Sequence, residues 1–305
     1  MLARDGHSAD PLTPAEREEL EEDLISFCDR ELDLLGDVRG LEVLYAGGSS
    51  ILWLEGLSQR VGSAGCVTAL ESNEGYLTEA EEGLRGVELA APVRLVAGDV
   101  FEPPFESGAF DTVYSAGLFH ELDVRERSAA ESLAALARVT RPGGRLATAD
   151  FVDTVPATQL EDEQIQAALA REVSGALLYR IGPRRRLVAL HESVLEDVRW
   201  YSLPPFEIRH LDKLVFAEYE QGDPRSTTSA GGARLRARRA VFAERVRREG
   251  YTRPASLYIE GRVPGEYSPD DQHRQASSPA VKFTLLPDGR TLPSSSGLSR
   301  RNSRE

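Results

Sequence analysis

The stretch that decides the fold is Val43-Leu-Tyr-Ala-Gly-Gly-Ser-Ser-Ile-Leu-Trp-Leu54. An apolar, strand-like run passes through small residues that permit a turn and continues directly into an apolar, helix-like run. Gly47 and Gly48 let the backbone bend sharply and approach a bound molecule closely. The free amides at the start of the following helix favour a carboxylate or a phosphate. A glycine pair after a strand is also an ordinary tight turn, so the interpretation depends on the segments that follow.

Four further segments repeat the alternation of strand and helix patterns along the chain. Val67–Glu71 and Val93–Asp99 are short apolar runs that each end in an acid. Phe110–His120 is a fourth strand pattern that opens into a loop, and Leu136–Asp150 joins a helix end, a Pro-Gly-Gly turn and a fifth strand. This alternation predicts an α/β fold with a doubly wound, mostly parallel sheet and helices on both faces.

Together these motifs resemble the class I S-adenosylmethionine-dependent methyltransferases, in particular the quinone-biosynthesis branch of types 11 and 25. The similarity covers residues 41–153 and includes the glycine turn, Glu71 and the triplet Gly98-Asp99-Val100. Its most specific part is the segment FDTVYSAGLFHEL followed by RVTRPGGRL at this spacing. The resemblance implies a Rossmann-like fold with a seven-stranded sheet. It also implies S-adenosyl-L-methionine as cofactor and a methyl transfer to oxygen, carbon or nitrogen of a small-molecule acceptor.

The same resemblance implies a set of cofactor-binding residues, which we expect at the carboxyl ends of the strands. They are Ala46, Gly47, Gly48 and Ser49 at the methionine part, Glu71 at the ribose, Asp99 and Val100 at the adenine, and Ser115, Ala116 and Gly117 beside the methionine ammonium. Glu71 would accept hydrogen bonds from both ribose hydroxyls. An acid that ends a strand is also a frequent N-cap of the next helix, and this alternative stays open for Glu71 and Asp99.

His120 is the candidate catalytic residue because it follows the fourth strand at the mouth of the expected site. If the acceptor is a hydroxyl, His120 would take its proton. The alternatives are that His120 positions the acceptor or packs in the protein interior, and His191 and His210 are weaker candidates. Because the sequence has no cluster of metal-ligating residues, we expect no catalytic metal.

The Gly-x-Gly-x-Gly pattern of the family corresponds to residues 47–51, where Ser49 replaces the second glycine with another small residue. Two other positions carry larger side chains than the family pattern. Tyr45 stands where the family usually carries an acid, and Ile51 stands where the family keeps a glycine. We expect both side chains to crowd the methionine end of the site. They motivate a second hypothesis, in which the domain has lost turnover and serves as a binding or scaffold protein. A third hypothesis, an RNA or protein methyltransferase, rests only on the arginine-rich segment 234–248.

Composition and charge narrow the classes of partner. The chain has 50 acidic and 36 basic residues and a net charge of −14, which argues against a general nucleic-acid binder. The arginines of segment 234–248 are interpreted as a solvated helix paired with acidic surface. Cys28 and Cys66 are predicted to be reduced core residues, and no apolar run reaches membrane-spanning length. We therefore expect a cytoplasmic protein, with a homodimer as a possible assembly.

The predicted organisation is one methyltransferase domain between two loose ends. Thr13-Pro14-Ala15-Glu16 has the residues of a helix start with a capping box. The predicted parts are a flexible start (1–13), an N-terminal helix (14–36), a cofactor-binding core (41–153), a lid or acceptor region (154–200), the remaining sheet with the basic helix (201–263) and a disordered tail (264–305). Within them we predict a helix over 156–181, a polar turn at 182–186, a strand over 206–219, a loop over 222–232, a helix over 233–249, and strands at 254–261 and 281–286.

Overall fold

The computed structural model describes residues 12–122, 124, 127–152, 156–214, 230–252 and 255–265, together with 283–285 and 291–293. The chain divides into two compact units, Met1–Gly265 and Glu266–Glu305. In the second unit, the strands Phe283–Leu285 and Thr291–Pro293 pair antiparallel. The first of these lies inside the strand predicted at 281–286.

The first unit is built on a seven-stranded sheet. Its strands are β1 (Glu42–Ala46), β2 (Cys66–Glu71), β3 (Val93–Ala97), β4 (Phe110–Ala116), β5 (Thr140–Phe151), β6 (Glu196–Leu203) and β7 (Ser256–Arg262), in the spatial order β3-β2-β1-β4-β5-β7-β6. β1 to β5 pair in parallel, and β7 is antiparallel to both β5 and β6. The predicted Rossmann-like, mostly parallel sheet is confirmed. Strand order reverses between β1 and β4, the point where open α/β sheets bind ligands.

Helices cover both faces of the sheet. They are α1 (Pro14–Leu32), α2 (Ile51–Val61), α3 (Glu74–Leu84), α4 (Ala129–Val139), α5 (Ala157–Ser174), α6 (Arg184–Glu192) and α7 (Ala230–Glu249), with short 3-10 helices at Asp33–Leu35 and Phe119–Glu121. The predicted capping box is present, since the Thr13 hydroxyl accepts from the Glu16 amide and the Glu16 carboxylate accepts from the Thr13 amide.

Side-chain alternation along each strand separates the core into two layers. Val43 and Tyr45 of β1 pack in the layer that contains α1 and α2. Leu44 and Ala46 pack in the opposite layer with residues of α4 and α6. The strand ends are thus held from both sides, which fixes the positions of the loops that follow β1, β2 and β4.

The region after β5 departs from the predictions. The predicted strand 206–219 is wrong in its described part: residues 206–214 form no strand, and 211–214 are helical. Phe206 and Ile208 pack instead against the apolar residues of α1. The predicted polar turn is also wrong in part, because α6 already begins at Arg184. Residues 215–219 and 222–229 lie outside the described residues.

Strand β6 was not predicted, and it crosses the predicted boundary at residue 200. It is the edge strand of the sheet, and most of its residues are exposed on both faces. Its pairing with β7 is irregular between Glu196 and Arg199, where Asp197 takes a positive φ of 53°. Such an exposed, bulged edge strand lacks the apolar alternation on which sequence reasoning depends.

Candidate active site

The turn after β1 is fastened to the neighbouring strand. Gly47 has φ of 72°, in the region that favours glycine. The amides of Gly47 and Gly48 both donate to the Leu70 carbonyl oxygen of β2, at 2.8 and 3.2 Å. A Cβ on Gly47 would lie 2.5 Å from a methyl of Leu118 in the loop after β4. The turn therefore needs glycine for its conformation and for its close packing.

The backbone amides available to a ligand belong to the start of α2, just after the glycine turn. Because the amides of Gly47 and Gly48 already have a partner, the donors of this junction are those in the first turn of α2. Ser50 is the N-cap of α2, and its side chain makes no capping hydrogen bond. The Ser49 hydroxyl is turned away, donating to the Tyr76 carbonyl oxygen at 3.3 Å. The first amides of a helix have no partner within the helix, so this end offers an anion-binding position.

Ile51 is accommodated by a glycine on another helix. A Cβ on Gly83 of α3 would lie 1.9 Å from Cδ1 of Ile51 and 3.1 Å from Cγ1. The side chain of Ile51 thus extends towards α3 and occupies the space that the missing side chain of Gly83 leaves. Gly83 therefore provides the space for the Ile51 side chain, which was expected to crowd the methionine end of the site.

Glu71 ends β2 beside the glycine turn. Its Oε1 accepts from the Asn73 amide at 2.8 Å, and its Oε2 has no hydrogen-bond partner among the described residues. The N-cap of α3 is Asn73, whose side chain accepts from the Gly75 amide at 2.9 Å. The alternative that Glu71 caps the next helix is therefore wrong, and one carboxylate oxygen stays available for a ligand.

Asp99 ends the strand pattern of β3 and shapes the loop after it. Its Oδ1 accepts from the Phe101 amide at 2.9 Å, and its Oδ2 lies 3.8 Å from the Arg127 guanidinium. No helix begins in residues 100–109, so Asp99 is not an N-cap. Arg127 also stacks on the Phe101 ring at 5.4 Å, while Val100 is buried in the core.

The end of β4 lies next to β5. The Gly117 amide donates to the Ala149 carbonyl oxygen at 2.8 Å, and Gly117 has φ of 67°. Ala116 is half-buried. The Ser115 hydroxyl is buried and has no hydrogen-bond partner in the described structure. The sheet thus brings the strand-end residues predicted at β1, β2 and β4 to one edge, as the register of β1 with β2 and β4 requires.

A buried aspartate holds the loop that carries His120. Nδ1 of His120 lies 2.7 Å from Oδ1 of Asp150, at the carboxyl end of β5. The amides of Phe119 and His120 donate to the other carboxylate oxygen of Asp150 at 2.5 and 3.3 Å, and the amide of Phe151 donates to Oδ1 at 2.8 Å. Sequence reasoning missed Asp150, although its position as an acid ending the fifth strand matches that of Glu71 on the second.

Carboxylates surround the imidazole of His120. Burial by itself lowers the pKa of His120, but the charges of Asp150, Glu163 and Glu121 and the hydrogen bond with Asp150 outweigh it and raise the pKa to about 9. Nε2 lies 3.7 Å from a carboxylate oxygen of Glu121 and of Glu163, beyond hydrogen-bond distance. A protonated imidazole donates a hydrogen bond and does not accept a proton. The geometry therefore favours positioning of an acceptor by His120 over its use as a base.

The helix α5 places Glu163 opposite His120. α5 and α7 share a small apolar core of their own, formed by Ile165, Leu169, Phe242, Ala243 and Val246. Glu161 of α5 pairs with Arg245 of α7 at 2.8 Å. Partial burial raises the pKa of Glu163, and the charge of His120 opposes this shift. This helix pair corresponds to part of the predicted lid and to the predicted basic helix.

His191 and His210 have structural roles. Nδ1 of His191 donates to the Leu187 carbonyl oxygen at 2.7 Å, and its Nε2 accepts from the Thr148 hydroxyl at 2.8 Å. Complete burial lowers the pKa of His191 to about 4, so it is a neutral core residue. Nε2 of His210 lies 2.6 Å from a carboxylate oxygen of Glu19 on α1.

Within the described ranges no group of three or more His, Cys, Asp or Glu side chains could hold a metal ion. Among the described helices, none is long and apolar enough to cross a membrane. The arginines of α7 whose partners are described meet acids or polar side chains, as in the pairs of Arg245 with Glu161 and Arg247 with Glu244.

Residues 43–144 match the family model of the methyltransferase domain. A ubiquinone/menaquinone biosynthesis C-methyltransferase of Idiomarina loihiensis is 34% identical over 143 residues, covering 45% of this chain and 55% of that protein. A demethylmenaquinone methyltransferase of Desulfitobacterium hafniense is 31% identical over 104 residues, covering 34% and 39%. The chain thus spans about half the length, or less, of the curated relatives it matches.

Two solved structures share the fold. A candidate methyltransferase of Bacillus halodurans has a TM-score of 0.50 at 16% identity, over 78% of this chain and 99% of that chain. The phosphoethanolamine N-methyltransferase 2 of Haemonchus contortus has a TM-score of 0.50 at 12% identity, over 82% and 58%. Residues 43–144 thus match a methyltransferase domain, the two solved structures share its fold, and the curated relatives are named as quinone-biosynthesis methyltransferases.

Proposed function

We propose that the protein transfers a methyl group from S-adenosyl-L-methionine to a small-molecule acceptor. The observation that carries this proposal is the meeting, at one edge of the sheet, of the glycine turn, the free oxygen of Glu71 and the His120–Asp150 pair. The glycine turn follows β1 and His120 follows β4, the two strands between which the order reverses, while Glu71 ends the neighbouring β2 and Asp150 lies near the end of the neighbouring β5. Open α/β sheets bind ligands at such a switch point, which supports the proposal.

The residues present fit this cofactor. Its carboxylate would meet the unpartnered amides of the first turn of α2, and its ribose hydroxyls would donate to Oε2 of Glu71. Asp99 and the Val100 amide would face the adenine, beside the loop that Arg127 holds. When bound, the cofactor supplies a methyl group activated by a positive sulfur, so that positioning provides most of the rate.

His120 and Glu163 would line the acceptor side. A protonated His120 would donate from Nε2 to an acceptor oxygen and hold it for in-line attack, while Asp150 fixes the ring from its other nitrogen. Glu163, whose pKa is raised by partial burial, is a better proton acceptor than a charged imidazole. His120 is thus proposed as a positioning residue and Glu163 as the group that takes the proton.

The relatives suggest which acceptor to assay first. Their names describe C-methylation in ubiquinone and menaquinone biosynthesis, so a demethylated quinol with an activated ring carbon is the first choice. Arg238, Arg245, Arg247 and Arg248 of α7 pair with acids of the protein, which gives no support to a nucleic-acid acceptor. A cytoplasmic location and a homodimer remain predictions from the sequence.

Calorimetric titration of the full chain with S-adenosylmethionine and S-adenosylhomocysteine tests the proposal. We expect both to bind, and Glu71→Ala to weaken binding at least tenfold, because a charge-assisted hydrogen bond contributes about 1.5–3 kcal/mol. Glu74→Ala is the matched control, since Glu74 is an exposed acid in the first turn of α3. Failure of the wild type to bind either ligand, or equal effects of the two substitutions, contradicts the proposal.

Turnover needs a separate assay. Transfer of labelled methyl from S-adenosylmethionine to a demethylated quinol, with formation of S-adenosylhomocysteine, is the expected result. Cofactor binding without transfer to any of a set of quinol, phenol and amine acceptors would instead favour the hypothesis of a binding protein without turnover.

A further inference from the structure

Two stacked tyrosines lie side by side under α1 and α2, and they differ in what their hydroxyls contact. Tyr45 of β1 and Tyr114 of β4 are register partners, with ring centroids 6.1 Å apart and planes inclined by 20°. The Tyr114 hydroxyl donates to the buried Glu31 carboxylate at 3.3 Å and accepts from Nε1 of Trp53 at 3.3 Å. The Tyr45 hydroxyl makes no hydrogen bond to any described residue, although Tyr45 is only 3% exposed.

The Tyr45 hydroxyl points at the glycine turn. A Cβ on Gly48 would lie 2.8 Å from this oxygen and 2.9 Å from Cζ of the ring. Gly48 is therefore the residue that leaves room for the end of Tyr45. The hydroxyl lies under the turn that leads into α2, where the structure has its unpartnered helix amides.

The Tyr45 side chain is almost completely buried and its hydroxyl has no partner among the described residues, and withdrawing a polar group from water without a hydrogen bond costs free energy. Burial raises the pKa of Tyr45 well above its ordinary value, so the hydroxyl keeps its proton. It can then both donate to a carboxylate and accept from an ammonium. An amino-acid group, which carries both, matches these properties.

We propose that the Tyr45 hydroxyl binds the amino-acid end of the cofactor. This inference rests on the proposed function, and it reverses the expectation that Tyr45 obstructs the methionine end. Gly48 of the turn lies over the Tyr45 hydroxyl and the first turn of α2 follows it in the chain, whereas Glu71 ends the neighbouring strand β2. Tyr45 is thus a binding residue, and Tyr114 beside it holds α1 on the sheet.

The test compares Tyr45→Phe with Tyr114→Phe, which remove one oxygen each from neighbouring, stacked rings. Two ligands separate the ends of the cofactor: S-adenosylhomocysteine has the amino-acid group, and 5′-methylthioadenosine lacks it. For Tyr45→Phe we expect about tenfold weaker binding of S-adenosylhomocysteine, unchanged binding of 5′-methylthioadenosine and no loss of thermal stability without ligand.

The control should behave in the opposite way. Tyr114→Phe removes a partner of the buried Glu31, so it should lower the melting temperature without discriminating between the two ligands. Equal binding of S-adenosylhomocysteine by wild type and Tyr45→Phe would overturn the inference while the proposed function stands. Equal weakening of both ligands would also overturn it. Failure of the wild type to bind either ligand would overturn the proposed function and this inference together.

Discussion

His120 should make the stability of the protein depend on pH between about 6.5 and 9. The imidazole is 6% exposed, and its pKa rises from 6.5 to about 9 because nearby carboxylates outweigh the effect of burial. One pKa unit corresponds to about 1.4 kcal/mol, so the protonated ring contributes on the order of 3 kcal/mol to the free energy of unfolding.

The direction follows from proton linkage. Between the two pKa values the folded state binds a proton at His120 and the unfolded state does not, so stability falls as pH rises. The contribution is complete below pH 6.5 and is lost as pH passes through about 9. Cys28 adds a further loss above pH 9, because burial holds its pKa above the ordinary 9.0 of a free thiol.

Urea unfolding of wild type and His120→Gln at several pH values between 6 and 10 isolates the histidine, since both proteins share the titration of Cys28. The difference in unfolding free energy should shrink by about 3 kcal/mol from pH 6 to pH 10. Parallel profiles for the two proteins would refute the raised pKa and with it the assignment of a protonated positioning residue.

Three further substitutions test separate features of the structure. Gly83→Ala should raise the free energy of unfolding by about 1 kcal/mol in an Ile51→Ala background, because alanine has a higher helix propensity than glycine. With Ile51 present this gain should be at least 1 kcal/mol smaller, since the added methyl group meets Ile51, and equal effects in the two backgrounds would contradict their contact. Glu163→Gln should lower the pKa of His120, followed by the NMR titration of its ring protons, and an unchanged pKa would show that the two groups are not in contact. Ser115→Ala should leave stability unchanged or raise it by about 1 kcal/mol, because the buried hydroxyl has no partner; a large loss of stability would mean that this hydroxyl is bonded.

The parallel core of the sheet could be predicted because its strands carry strong local signals. Each of β1, β2 and β4 is a nearly continuous buried run, which is typical of strands covered on both faces. The place of Glu71 after such a run predicts it as a site residue, and Asp99 is predicted from its place after the apolar run of β3, which the structure shows to be only partly buried. The sequence does not predict their detailed contacts. For Glu71, for example, it does not show whether Glu71 or Asn73 is the N-cap of α3.

The later part of the chain could not be predicted in the same way. Trp200 and Tyr201 of β6 are 42% and 43% exposed, so the strand shows no buried face. Phe206 and Ile208, in contrast, are apolar residues outside the sheet that are covered by α1, which lies about 180 residues earlier in the sequence. Apolar pattern alone does not distinguish a residue that packs in a sheet from one that packs on a distant helix.

Three consecutive acids of α5 explain how one helix can serve two purposes. Successive helix residues point about 100° apart, so neighbours in sequence face different surroundings. Glu161 pairs with Arg245 and Asp162 accepts from the Tyr251 hydroxyl at 2.5 Å, which fastens α5 to α7 and the segment after it. Glu163 faces His120 instead. The attachment of α5 to α7 and its contact with His120 therefore depend on different side chains, so we expect a change of charge at residue 163 to leave the pair of helices in place.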